Sequence, residues 1–162
     1  MSTPHDPNLL AQVQDLLYQE AWLLDKQRFA DWLGLYTEDA TYWVPLEQNQ
    51  KDPFETSSII YDDRVLLELR VRQYDHSRAH ARQPLARTCH QVGNVRIAAA
   101  DAGQVRVTST LVLVEYRLER QRTWGALVEH TLRQTAEGLK ISAKRVDLVN
   151  SESELPGIAF LL

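Results

Sequence analysis

The second half of the chain restricts the fold most. From Leu85 onward the sequence becomes a succession of long β-type runs separated by short turn signals. The first, Leu85 to Ala99, ends at Ala100-Asp101-Ala102-Gly103, a turn composition. Val105 to Glu119 is rich in Val, Thr and Leu, and its length calls for a bend or bulge. In the next run Trp124, Ala126, Val128 and Leu132 alternate with Thr123, Glu129, Thr131 and Arg133. That parity turns His130 inward with the apolar set. Glu137-Gly138 marks another turn, and Leu139 to Val149 is the last strong strand. Consecutive long strands with one apolar face make an antiparallel sheet that needs a cover on one side.

The first half supplies the cover. Asp6-Pro7 reads as an N-cap followed by proline at the first helical position. Leu9, Val13, Leu16, Leu17, Ala21 and Leu24 then recur at helical spacing. Asp25 is expected to cap a second, shorter helix with Phe29, Trp32, Leu33 and Tyr36 on one face. Thr41 to Leu46 is β-rich and is stopped by Pro45, and a polar loop follows. Asp62 or Asp63 opens a third helical segment carrying Val65, Leu66, Leu69 and Tyr74. Helices first and strands afterwards is an α+β order. A strongly curved, mostly antiparallel sheet wrapped on the N-terminal helices describes the cone of the nuclear-transport-factor-2-like (NTF2-like) fold. Residues 1–162 are read as one domain of that kind. Such cones leave a pocket between sheet and helices, which is either used or filled.

Charge and cysteine content narrow the chemistry. With 18 basic and 22 acidic residues the net charge is −4, and no basic stripe offers a grip on a phosphate backbone. The single cysteine excludes an internal disulfide framework. The first ten residues lack a basic stretch followed by an apolar run, and no apolar stretch is long enough to span a bilayer. A soluble cytoplasmic chain without nucleic-acid or membrane partners is the expectation.

The candidate sites are few. Cys89 and His90 are adjacent, so on a strand they point to opposite faces and cannot clasp one ion or form a thiolate–imidazole pair. Cys89 is expected to be a small buried hydrophobe. In Tyr74 to Arg82, His76 and His80 are four apart beside Asp75, but Arg78 and Arg82 oppose a cation, and a polar loop is expected there. A pocket acid–base set is the sharper possibility: His130, His90, Asp39 and Tyr42 around an apolar cavity would suit proton abstraction beside a carbonyl, or dehydration. Against it stand a hydrogen-bonded core histidine at position 130 and an Asp39 that merely caps a turn. Arg117, Arg120 and Arg122 around Glu119 read as a solvated hairpin end. No glycine-rich phosphate loop, nucleotide fingerprint or Ser-His-Asp arrangement is visible. The final residues, PGIAFLL, place Ile158, Phe160, Leu161 and Leu162 where they must pack on this chain or on another. They are the candidate interface.

Four motifs carry a family resemblance: YQEAWLLDKQRFADWLGLYTEDATYWVP (Tyr18 to Pro45), IIYDDRVLLELRVRQ (Ile59 to Gln73), ARTCHQVGNVRI (Ala86 to Ile97) and KISAKRVDLVN (Lys140 to Asn150). In this order they resemble the small (β) subunit of aromatic-ring-hydroxylating dioxygenases, the Rieske-type non-haem iron oxygenases. The YWVP and IIYDDR segments look most like the branch that handles benzoate and related aromatic acids. The resemblance implies a non-catalytic β subunit that stabilises a trimer of α subunits in an α3β3 assembly. The Rieske [2Fe–2S] cluster and mononuclear Fe(II) would both lie in α, with electrons from NADH through a reductase. The product would be a cis-dihydrodiol. No catalytic, cofactor or metal residue is carried over to this chain. The alternative is a stand-alone dehydratase or isomerase of the same fold using His130, His90, Asp39 and Tyr42.

Overall fold

The computed structural model describes residues 6–80 and 84–162. Helix α1 spans Pro7–Asp25 and α2 spans Phe29–Leu33; strands β1 (Tyr36–Pro45) and β2 (Ser58–Asp62) precede α3 (Arg64–His80). Strands β3 (Arg87–Asp101), β4 (Gln104–Arg117), β5 (Arg120–Thr135) and β6 (Gly138–Leu148) follow. They form one six-stranded sheet in the order β2-β1-β6-β5-β4-β3. Every neighbouring pair is antiparallel except β1 with β6, which run parallel. Among the described residues no helix is long and apolar enough to cross a membrane.

The α+β order and the mostly antiparallel sheet are as expected. Asp6 caps α1 through its carboxylate, which accepts from Asn8 N–H at 2.9 Å. The α1 stripe is buried at Val13, Leu16, Leu17, Ala21 and Leu24 against the sheet's inner face, which contributes Tyr42, Val107, Leu111, Leu113, Val128, Leu132 and Val146.

Several local expectations are corrected. Asp25 does not cap α2, whose N-cap is Arg28 with no side-chain cap bond; its carboxylate reaches across to β3 instead. Tyr36 begins β1 rather than closing α2, and Ser58–Asp62 adds an edge strand that the sequence reading left unassigned. Asp63 starts α3 by accepting from Leu66 N–H at 2.9 Å, but the buried face of that helix carries Leu67 and Val71. Val65, Leu66 and Leu69 face outward, 64%, 46% and 45% exposed. The helix runs on to His80, so His76 and His80 lie on a helix and not in a loop. Arg82 lies outside the described residues.

The expected bend falls in β3, not β4. The β4–β5 register runs unbroken from Gln104–Arg133 to Arg117–Arg120. The β3–β4 register shifts between Gly93 and Arg96 and again between Ile97 and Ala99. Asn94, in the left-handed region at φ 51°, turns the strand there and donates to Thr110 Oγ1 at 3.0 Å. Two such irregularities in one strand give the curvature that lets the sheet close over α1.

Candidate functional site

The cone's interior is organised around Glu20, a carboxylate on the apolar face of α1 that is 3% exposed. Its Oε2 accepts from Trp32 Nε1 at 3.0 Å and from the Tyr36 hydroxyl at 2.7 Å. Its Oε1 lies 2.8 Å from His130 Nε2 and 3.1 Å from Lys144 Nζ. Burial by itself would raise the carboxyl's pKa; the Lys144 and His130 charges and the donated hydrogen bonds overcome it and hold Glu20 well below the usual carboxylate range. The Tyr36 hydroxyl is pushed the other way, by burial and by the Glu20 charge. A carboxylate at Glu20 requires the proton on His130 Nε2. His130 Nδ1 is then left buried with no hydrogen-bond partner among the described residues.

A second network stands beside the first. Asp25 accepts from Thr88 Oγ1 at 3.0 Å, from His90 N–H at 3.0 Å and from His90 Nδ1 at 2.6 Å. The other ring nitrogen, Nε2, lies 2.9 Å from the main-chain oxygen of Leu161. The Asp25 carboxyl group and the Leu161 main-chain oxygen thus hold the His90 ring from its two nitrogens.

Both networks end on the apolar end segment. Lys144 Nζ donates to the main-chain oxygen of Leu162 at 2.5 Å, and Leu162 N–H donates to the Tyr42 hydroxyl at 2.9 Å. Burial raises the Tyr42 pKa against that hydrogen bond. Phe160, Leu161 and Leu162 are 5%, 2% and 0% exposed, and Phe160 meets Trp124 edge-on with centroids 5.5 Å apart. The segment offered as an interface therefore buries these three side chains inside its own cone. Ile158 packs against the same core, half-buried.

The structure brings together part of the expected acid–base set. His130 points inward as its parity required, and it lines one cavity with His90. Tyr42 is buried but engaged by the end segment. Asp39 is elsewhere: it is 65% exposed, bonded to Arg133 at 2.9 and 3.1 Å and to Thr37 Oγ1 at 2.7 Å, and it caps no turn because it lies within β1. The Arg133 hydrogen bonds hold its carboxyl at about 2. Cys89 and His90 do face opposite ways, but Cys89 is exposed rather than buried. The β4–β5 hairpin end is only partly solvated, since Glu115 is buried beneath it, 3.4 Å from Arg122 Nε and accepting from Trp124 Nε1 at 3.1 Å.

Sequence reasoning missed Glu20, Asp25 and Lys144. Two of them carried a signal. Glu20 follows Val13, Leu16 and Leu17 at i+7, i+4 and i+3, and Lys144 shares strand parity with Val146 and Leu148. Charges on apolar faces of two different elements are candidates for each other.

The cavity itself is small. Lined by Leu17, Glu20, His90, Ser109, His130 and Lys144 among others, it leaves about 20 Å³, the space of a single water. Among the described residues no group of three or more His, Cys, Asp or Glu side chains is placed to hold a metal ion. With one cysteine, exposed and on the face opposite His90, this chain's donors do not fit an iron–sulfur cluster.

The comparison with known proteins turns on the whole chain rather than on the cavity. The family model for the ring-hydroxylating beta subunit matches residues 19–153. The chain belongs to the ring-hydroxylating beta-subunit family. This beta-subunit chain is 38% identical over 137 residues to the small oxygenase component of the p-cumate 2,3-dioxygenase system of Pseudomonas putida, covering 83% of this chain and 76% of that one. The crystal structure of the beta subunit of benzoate 1,2-dioxygenase from Burkholderia mallei superposes with a TM-score of 0.78 at 30% identity, over 99% of this chain and 100% of the other. An NTF2-like protein with a cystatin-like fold from Novosphingobium aromaticivorans matches with a TM-score of 0.61 at 12% identity, over 86% and 81% of the two chains, a likeness of fold alone. The α+β cone and the oxidoreductase family read from the sequence are thus both found. In this beta subunit the cone is closed by the chain's own end segment.

Proposed function

We propose that this chain is a single-domain, non-catalytic β subunit of an aromatic-ring-hydroxylating dioxygenase of the cytoplasm. It stabilises the trimer of α subunits in an α3β3 assembly. The parent reaction adds O₂ to an arene and gives a cis-dihydrodiol, and the p-cumate and benzoate systems of its relatives favour an aromatic acid as substrate. The Rieske [2Fe–2S] cluster and mononuclear Fe(II) belong to α, and NADH supplies electrons through a reductase. The β subunit acts by burying α surface, and permanent interfaces of this kind bury on the order of 2,000 Å² or more.

The observation that carries the non-catalytic reading is the occupied interior. Where an enzyme of this shape keeps its substrate, this chain keeps Phe160, Leu161 and Leu162, with about 20 Å³ left on the His130 side. The stand-alone dehydratase or isomerase reading retains His130 and His90 on one cavity but loses Asp39 to the surface.

Affinity purification of the tagged chain from its native host, grown on aromatic acids, tests the reading. We expect a larger iron–sulfur polypeptide in equal amount, carrying NADH-dependent oxygenase activity. A chain that emerges alone under every growth condition, and that turns over a substrate by itself, sinks it.

A further inference from the structure

The groups that hold the end segment form a recognition site for an oxygen acceptor on an apolar body. His90 Nε2 lies 2.9 Å from the Leu161 main-chain oxygen and Lys144 Nζ 2.5 Å from that of Leu162. The Tyr42 hydroxyl stands 3.4 Å from the same Leu162 oxygen. Each of the two donors is backed by a carboxyl group, His90 by Asp25 at 2.6 Å and Lys144 by Glu20 at 3.1 Å, so both are oriented before anything binds. The walls are apolar and partly aromatic, with Trp124 against the Phe160 ring. Hydrogen bonds from a charged donor such as the Lys144 ammonium to a carboxylate are among the strong ones.

The occupant is also lightly tethered. Residues 154–159 belong to no helix or strand, and Glu152, Ser153, Glu154, Pro156 and Gly157 are exposed. A side chain built at Gly157 would meet nothing within 4 Å. The segment does not fill its seat: about 20 Å³ remains on the His130 side and about 10 Å³ beside Phe29, Tyr74 and Thr88. His130 Nδ1, buried on the first of these spaces, has no partner among the described residues.

We propose that the interior of the cone is a ligand site whose resident occupant is the chain's own Phe160–Leu162. A small aromatic carboxylate takes the site when that segment withdraws. The acid's oxygens replace the Leu161 and Leu162 oxygens on His90 and Lys144, and its ring replaces Phe160 against Trp124. Segment and ligand compete, so the apparent affinity is the intrinsic one reduced by the fraction of open chain. The inference does not depend on the assembly role proposed above.

The test uses the full-length chain with Cys89→Ser and Leu162→Cys, which puts the sole thiol at the fully buried end of the segment. Iodoacetamide reports release of the segment, benzoate is the probe, and benzamide is its uncharged counterpart. Benzoate should raise the alkylation rate saturably, by about tenfold, and benzamide should not. The half-saturating concentration should fall when Phe160→Ala weakens the competitor. A rate indifferent to benzoate at every soluble concentration, or raised equally by benzamide, overturns the proposal. If the Leu162→Cys chain does not fold, equilibrium dialysis of radiolabelled benzoate against the Phe160→Ala chain decides. Binding that Lys144→Met weakens at least tenfold supports the site, and no binding overturns it. Either result leaves the co-purification test of the assembly untouched.

Discussion

Glu20 is the residue on which the interior depends, and its charge makes a pH prediction. Its carboxyl ordinarily titrates near 4.5 and is held well below that value in the folded chain, so the folded state resists protonation. The stability it contributes is complete above about pH 5.5 and is lost as the pH falls through 4.5 and below. Glu20→Gln removes that titration. Urea midpoints measured from pH 6 to pH 3 should show an acid slope shallower by up to about 1.4 kcal/mol per pH unit in the variant. At pH 7 the same variant should be less stable by about 3–5 kcal/mol, because Lys144 stays buried without its partner. Equal slopes for the two proteins would remove Glu20 from the acid limb. Asp39 supplies the contrast. It also carries a depressed pKa, yet its pair with Arg133 lies in water, and Asp39→Ala should cost less than about 1 kcal/mol. Alternation on β5 was enough to turn His130 inward. It was not enough to find what His130 meets, since Glu20 is 110 residues away and only the closed cone brings the two together.

At the scale of elements, periodicity found α1 and strands β3 to β6, missed β2, and did not find the buried face of α3. The reason is visible in the residues. Val65, Leu66, Leu67, Leu69 and Val71 are apolar around most of the helix, so spacing alone does not choose between stripes. The structure chooses Leu67 and Val71. Leu67→Ala should therefore cost about 2–5 kcal/mol in urea unfolding. Leu66→Ala, one position earlier and exposed, should fall within about 0.5 kcal/mol. A reversed order would mean that α3 is rotated from the orientation described. The end segment follows the same logic. Its apolar run announced that it must be covered, but not by what, and the cover proves to be the chain's own cone. Phe160→Ala should cost about 3–5 kcal/mol, a loss of fold stability before any loss of assembly.

For the whole molecule, a scaffold and an enzyme make different demands on kinetics. If the β subunit only holds α subunits in register, its variants change how many complete complexes exist, not how fast each one works. The isolated chain leaves Val65, Leu66 and Leu69 of α3 in water, together with Leu127 of β5 and Val149 just after β6. Apolar side chains exposed in such numbers fit a molecule that works against a partner. Asp39 separates the two readings cleanly, because it is the one residue of the expected acid–base set that lies at the surface and outside both buried networks. In a reconstituted α–β complex, Asp39→Ala should leave the oxygenase turnover number, expressed per iron-loaded α subunit, within about twofold of the parent. A change of twofold corresponds to only about 0.4 kcal/mol in the barrier, smaller than the loss of a general acid or base, which costs 10²-fold or more. A fall of that larger size with α loading unchanged would put chemistry back into this chain, at the Asp39–Arg133 surface rather than inside the cone.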